Sequence, residues 1–189
     1  MKKIVIFASG AGSNAENIIR YFSNGKNAKV DLVLSNKPQA KVIERAAKLD
    51  VDAFFFDRHQ FYETGEVLSM LLRRGADLIV LAGFLWLIPA DIIDVYRGRI
   101  INIHPALLPE FGGRGMYGDR VHGAVLASGK AKSGITIHMV NEVYDSGDII
   151  FQAECPVLPD DDFRSLADRV HALEYEHYPK VISRLIDSL

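Results

Sequence analysis

The stretch Asn102-Ile-His104-Pro-Ala-Leu-Leu-Pro109 sets an imidazole two positions after a side-chain amide. Residues i and i+2 of a strand share a face, so both groups could act on one reacting centre. An imidazole moves protons near neutral pH, and an amide N–H can donate to a developing oxyanion. Pro105 keeps His104 extended, which helps fix where the ring points. The same residues also suit a satisfied histidine at a strand end beside an asparagine turn cap. A second stretch, Glu142-Val-Tyr-Asp145-Ser-Gly-Asp-Ile149, gathers carboxylates. One acid there could orient an imidazole and raise its pKa; on spacing alone the stretch also reads as a solvated turn.

The third stretch, Ser9-Gly-Ala-Gly-Ser-Asn14, follows an apolar run and precedes a helical pattern. Glycines let a ligand approach the backbone, and a helix N-terminus offers unpaired N–H groups and a positive dipole end. Gly10-x-Gly12-x-x-Ala15 matches the relaxed dinucleotide fingerprint. The next apolar run, however, ends Leu34-Ser-Asn36, without the acid that a ribose hydroxyl needs. A phosphate monoester fits better, with Gly12, Ser13 and Asn14 as donors, and a side chain at Gly12 is expected to enter the phosphate's space. The alternative is a tight turn with Ser13 as a helix cap. No Gly-x-Ser-x-Gly elbow is present. Cys155 lies in an apolar run before Pro156 and reads as packing. His59, His138, His171 and His177 lack a metal-ligand spacing, so no metal is expected. His122 follows a glycine-rich segment and is a candidate to reach the same cleft.

These residues need elements to hold them. Apolar runs at Lys3–Ala8, Val30–Leu34, Asp52–Phe56, Leu78–Ala82 and Arg99–Ile103 alternate with helical patterns at Asn14–Phe22, Pro38–Lys48 and Phe61–Arg74. Continuous apolar strands imply a sheet covered on both faces, and strand–helix alternation implies parallel connections. The first ~100 residues therefore read as an open doubly wound, mostly parallel α/β half of Rossmann type. Pro105 to Gly118, with two prolines and four glycines, reads as a long loop. A helix is expected over Arg120–Ala127, then a β-hairpin from Gly134–Val140 and Asp148–Val157. A closing helix over Arg164–Leu189 is expected to bend or break at Pro179.

Lys and Arg number 22 against 24 Asp and Glu, a net charge of −2. That balance offers no broad basic face, so a nucleic acid is not expected as partner. A single cysteine rules out an internal disulfide framework and suits a reducing compartment. The apolar run Ile4–Ala8 is shorter than the ~7–15 residues of a signal sequence's core. Leu78–Ala90 is shorter than the ~20 that span a bilayer, and reads as a buried strand running into a loop. A cytoplasmic protein with no membrane partner is expected.

Taken together, Gly12-Ser-Asn14, Asn102-x-His-Pro-x-Leu-Leu-Pro109 and the Asp145-x-Gly147 loop resemble the phosphoribosylglycinamide formyltransferases. The resemblance extends over Ser35-Asn-Lys37, Val80-Leu-Ala-Gly-Phe84 and Glu174–Pro179. It implies a formyltransferase fold and one catalytic domain over 1–189, with a phosphate-binding half at 1–100 and a catalytic and folate-binding half at 101–189. The implied reaction transfers the formyl group of the co-substrate 10-formyltetrahydrofolate to the amine of 5′-phosphoribosylglycinamide, through a tetrahedral intermediate. Asn102 and protonated His104 would stabilise its oxygen, with Asp145 orienting and charging His104, and no metal would take part. Gly12, Ser13 and Asn14 would hold the substrate phosphate, Glu174 would contact the glycinamide substrate, and Arg169 would assist. Leu85, Trp86, Leu87 and Ile88, with Asn102, would meet the folate. Relatives often carry arginine at the Trp86 position, and the arginine some use for the folate glutamate tail has no counterpart near Thr64; Arg58 is the nearest candidate. Another folate-dependent formyltransferase or a formyltetrahydrofolate hydrolase is the alternative. The added RNA-binding module of the first and the N-terminal regulatory domain of the second are not expected here. The partners implied are small molecules, for a monomer or a homodimer.

Overall fold

Short β-branched runs flanked by turn residues form the strands of a seven-stranded sheet, and the stretches between them form helices. A computed structural model describes residues 1–23 and 27–189. In chain order the elements are β1 (Lys2–Phe7), α1 (Ser13–Phe22), β2 (Ala28–Ser35), α2 (Lys41–Ala47), β3 (Asp52–Phe55), α3 (Arg58–Tyr62) and α4 (Glu66–Arg74). There follow β4 (Leu78–Leu81), α5 (Ala90–Val95), β5 (Ile100–His104), α6 (Asp119–Ala127), β6 (Lys132–Met139), β7 (Ile149–Pro156) and α7 (Phe163–Ser188). The sheet order is β3-β2-β1-β4-β5-β6-β7. β1 to β5 run parallel, and β6 and β7 add an antiparallel hairpin.

Period-two alternation splits the core between the two faces of the sheet. Ile4 and Ile6 of β1 face a cluster that includes α1, α2, α6 and α7. Val5 and Phe7 face the opposite cluster, with Phe61 of α3, Leu71 of α4 and Ile92 of α5. Burial on both faces is why these strands read as continuous apolar runs.

Three expectations about the helices are corrected, and one helix is added. Ser13 is the first residue of α1 rather than its cap; the cap position is Gly12, in the left-handed region at φ 76°. Pro38 does not open α2, because Ser35 Oγ accepts from the Lys37 N–H at 3.3 Å and makes a turn that delays the helix to Lys41. The pattern over Phe61–Arg74 is two helices: Asp57 and Gln60 form a capping box that starts α3 early, and Gly65 at φ 68° separates it from α4. Pro89 sits at the cap of α5, a helix over Ala90–Val95 that no sequence pattern above marks.

Pro179 does not break α7. Proline removes the N–H that would reach the carbonyl four residues earlier, at Tyr175. The Asn17 amide of α1 donates to that carbonyl instead, at 2.9 Å. A neighbouring helix supplies the missing donor, so α7 runs through 26 residues.

Candidate active site

Side chains from distant parts of the chain converge on a cavity of about 690 Å³ at the carboxyl ends of β1, β4 and β5. Strand order reverses between β1 and β4, which is where open α/β sheets bind ligands. The register of β5 on β6 builds the reactive end. It sets Asn102 opposite His138 and His104 opposite Thr136. Thr136 Oγ1 donates to the Ala106 carbonyl at 2.7 Å and accepts from the Leu108 N–H at 2.9 Å. That pair of bonds pins the chain just after His104. Gly134 allows β6 and β7 to approach, since a Cβ there would lie 2.0 Å from the Ala153 carbonyl oxygen.

His104 is 3% exposed. Its Nε2 lies 2.8 Å from the Phe111 carbonyl, which can only accept, so Nε2 carries a hydrogen. Nδ1 is left as the nitrogen that gains and loses a proton, 3.5 Å from Asp145 Oδ2. Burial pulls the ring below the ordinary imidazole value, outweighing Asp145 and the Phe111 carbonyl, which push it up. The upward pull expected from Asp145 is present, but the net direction is down because the ring is almost fully desolvated.

Asp145 stands at the hairpin tip with φ 53° and accepts from the Gly113 N–H at 2.8 Å. Burial alone would raise its pKa; a His138 or His104 ring that takes up a proton, together with the Gly113 N–H, holds it below the usual carboxylate value. A Cβ on Gly112 would lie 2.5 Å from Leu108 Cδ2 and 3.2 Å from Asp145 Cβ, so the glycine-rich loop seats closely over the acid. Asn102 Nδ2 lies 3.1 Å from His138 Nε2 and 3.5 Å from Asp145 Oδ1. The expected trio is thus brought together.

At the other end of the cavity lie Gly12, Ser13 and Asn14. Their backbone enters α1, whose first N–H groups have no partner within the helix. Two details differ from expectation. The Asn14 side chain turns to Glu174, with Nδ2 donating to Oε2 at 2.9 Å, so only its backbone N–H suits an anion. A Cβ on Gly12 would meet Val42 Cβ at 2.5 Å, inside the protein and away from the cavity. Substitution at Gly12 therefore strains the fold before it blocks a ligand. Lys37, Arg114 and Arg120 add positive charge to the lining.

Glu174 is 5% exposed and lines the cavity, and burial raises its carboxyl pKa. Arg169 is elsewhere: its guanidinium donates to both Asp161 carboxylate oxygens, at 2.8 and 2.9 Å, and to the Pro156 carbonyl. The guanidinium ties the end of β7 to the start of α7 and is not part of the cavity wall.

Leu85, Trp86, Leu87 and Ile88 line the cavity after β4. The Leu85 N–H already donates to Ser9 Oγ at 3.0 Å, and the Leu87 carbonyl accepts from the Tyr62 hydroxyl at 2.8 Å. Trp86 joins an aromatic cluster with Phe56, Phe61, Tyr62 and Phe84. The Arg58 guanidinium lies over the rings of Tyr62 and Trp86, at 4.9 and 5.6 Å. Sequence reasoning missed His138, the Phe111 carbonyl and the Gly113 N–H. Only the strand register could have pointed to His138.

Fold and cavity together define an α/β protein with a ligand-sized cleft at a topological switch point. Residues 2–182 match the formyl transferase family, and the chain belongs to that family. It is 38% identical over 191 residues to a Bacillus subtilis protein named phosphoribosylglycinamide formyltransferase, covering 98% of this chain and 95% of that one. An Arabidopsis thaliana chloroplastic protein of the same name is 39% identical over 192 residues, and this chain spans 66% of its length. A solved Geobacillus kaustophilus structure, titled glycinamide ribonucleotide transformylase 1, superposes with a TM-score of 0.89 at 38% identity, covering 98% and 99% of the two chains. Among the described residues no helix is long and apolar enough to cross a membrane.

Proposed function

We propose that this chain transfers the formyl group of 10-formyltetrahydrofolate to the amine of 5′-phosphoribosylglycinamide, giving formylglycinamide ribonucleotide and tetrahydrofolate in purine synthesis. The observation that carries the reading is one cavity with an anion end at Gly12–Asn14 and a proton-moving end at Asn102, His104 and Asp145. Only β4 separates β1 from β5, so these ends stand roughly 10 Å apart at the spacing of strands in a sheet. A phosphoribosyl group bridges that span between its phosphate and the attacking amine. The names borne by the relatives support the same substrate.

In this reading the amine nitrogen bonds to the formyl carbon to give a tetrahedral intermediate, and its collapse breaks the bond from that carbon to the folate nitrogen. Asn102 donates an N–H to the negative charge developing on the formyl oxygen, a contribution worth ~3–4 kcal/mol. His104 Nδ1 accepts the proton released by the amine and delivers it to the departing folate nitrogen, a shuttle worth on the order of 10²–10⁴ in rate. While that proton is held, Asp145 pairs with the imidazolium. The imidazolium's positive charge adds to the stabilisation of the oxyanion. Glu174 accepts hydrogen bonds from the ribonucleotide, and Lys37 adds to the field at the phosphate. The 85–88 segment meets the pterin, and Arg58, held over Trp86, faces the negatively charged folate tail.

Calorimetry with the ribonucleotide, its dephosphorylated form and NAD tests the phosphate end. The phosphorylated compound is expected to bind at least about tenfold tighter than the dephosphorylated one, as charge-assisted bonds of ~1.5–3 kcal/mol require. NAD is expected not to bind. A formyl-transfer assay offering the ribonucleotide, water and charged tRNA as acceptors tests the reaction. Preference for either of the last two overturns the assignment.

A further inference from the structure

We propose that His138 is a positioning residue, whose ring holds the Asn102 amide with its N–H side toward the reacting oxygen. The inference rests on the role given to Asn102 above and goes beyond it. Asn102 and His138 are directly opposed across the β5–β6 ladder, the arrangement that brings side chains of neighbouring strands into contact. His138 is 2% exposed, and its Nδ1 lies 2.7 Å from the Met139 carbonyl. A carbonyl only accepts, so Nδ1 carries a hydrogen, and Nε2 of the neutral ring is then a lone-pair acceptor. That acceptor lies 3.1 Å from Asn102 Nδ2.

An asparagine amide has two nearly isosteric orientations with opposite polarity. With Nε2 as acceptor, only the orientation that turns Nδ2 toward His138 makes a hydrogen bond. The reverse would set the Asn102 carbonyl oxygen against a lone pair. One Nδ2 hydrogen is thereby engaged. The second faces Asp145 Oδ1 at 3.5 Å, at the outer limit of a hydrogen bond, and is available to a stronger acceptor formed in the cavity. Asp145 Oδ1 is also 3.6 Å from His138 Nε2. A doubly protonated His138 would instead pair with that oxygen and release Asn102. The backbone carbonyl of Met139 and the register of β6 thus set the polarity of a side chain on the neighbouring strand.

The test is a double-variant cycle on the full-length chain with His138→Leu, His138→Gln, Asn102→Ala and the His138→Leu/Asn102→Ala pair. Loss of one oxyanion donor costs about 10²–10³ in kcat, so His138→Leu, which leaves the amide free to turn, is expected to lose about 10- to 100-fold in kcat with both KM values little changed. His138→Gln, with a carbonyl acceptor near the position of Nε2, is expected to recover most of that loss. In the Asn102→Ala background His138→Leu is expected to cost almost nothing more, since its work passes through the missing amide. In the parent protein the ¹⁵N spectrum of His138 is expected to show Nδ1 protonated and Nε2 not. Full additivity of the two variants, failure of glutamine to rescue a folded protein, or a protonated Nε2 overturns the positioning role. An Asn102→Ala variant with parental kcat instead overturns the role of Asn102 itself.

Discussion

For a single side chain, the decisive detail at His104 is which of its two ring nitrogens is free to exchange a proton. The Asn102-x-His104 spacing on a strand announces two polar groups on one face. In the proposed mechanism the working nitrogen is set by Phe111, whose carbonyl takes Nε2 and leaves Nδ1 free to exchange a proton. His104→Ala is expected to lower kcat by at least ~10² with substrate binding nearly intact, because the ring acts in the transition state. Single-turnover kinetics and calorimetry on the same variant separate the two quantities; a kcat within about threefold of the parent removes His104 from the mechanism. Asp145→Asn keeps the loop but deletes the charge that opposes burial at His104. The His104 pKa, already below the ordinary value, is expected to fall further, as followed by NMR titration of the ring in both proteins. An unchanged or higher value contradicts the assignment of Asp145. Gly12 shows the limit of residue-level reading: glycine after β1 suggests a ligand's approach, yet the space its missing side chain leaves is taken by Val42.

At the element scale, the parallel half was legible because a sheet buried on both faces writes its strands as unbroken apolar runs. Boundaries set by side-chain bonds were not, as at α2, where Ser35 reshapes the entry, and at α7, where Asn17 rescues the helix at Pro179. The β6–β7 hairpin was visible as two runs around a polar turn. What it does depends on register, which the sequence does not state: β6 carries Thr136 and His138 to the backs of His104 and Asn102. Gly134 is the point on which that pairing turns. Gly134→Ala places a Cβ against the Ala153 carbonyl and Leu107, and the strands must part to admit it. The variant is expected to lose about 1–3 kcal/mol of stability by denaturant unfolding, as overpacked sites do. Because Thr136 anchors Leu108 two residues further along, kcat is expected to fall as well. A variant with parental stability shows that β6 and β7 are not held in this register.

At the scale of the whole molecule, the cavity joins Gly12 to Glu174 across almost the entire chain, and the packing of α7 on α1, marked by the Asn14–Glu174 hydrogen bond, makes those residues neighbours. That assembly buries ionisable groups with opposed responses to pH. Burial lowers the pKa of His104 and of His122, with His171 lowering His122 further against Asp119. Burial raises that of Glu174, against its bond from Asn14 and the charge of His171. Below the ordinary imidazole value of 6.5 the unfolded chain takes up protons that the folded rings refuse. Stability is therefore lost as pH falls through the window between 6.5 and the lower folded values. Glu174 works in the other direction: folded, it keeps a proton above 4.5 that the unfolded carboxyl has released, so its contribution is present at low pH and lost as pH rises through its raised value. Each term can be removed alone. His122→Leu deletes a buried ring whose Nδ1 has no hydrogen-bond partner among the described residues, and the drop in Tm between pH 7 and pH 5 is expected to shrink. Glu174→Gln deletes the opposing term, and the same drop is expected to grow. Calorimetric Tm values for the three proteins at both pH values decide the matter, and a steeper acid loss in His122→Leu than in the parent refutes a folded His122 pKa held below the ordinary imidazole value by burial.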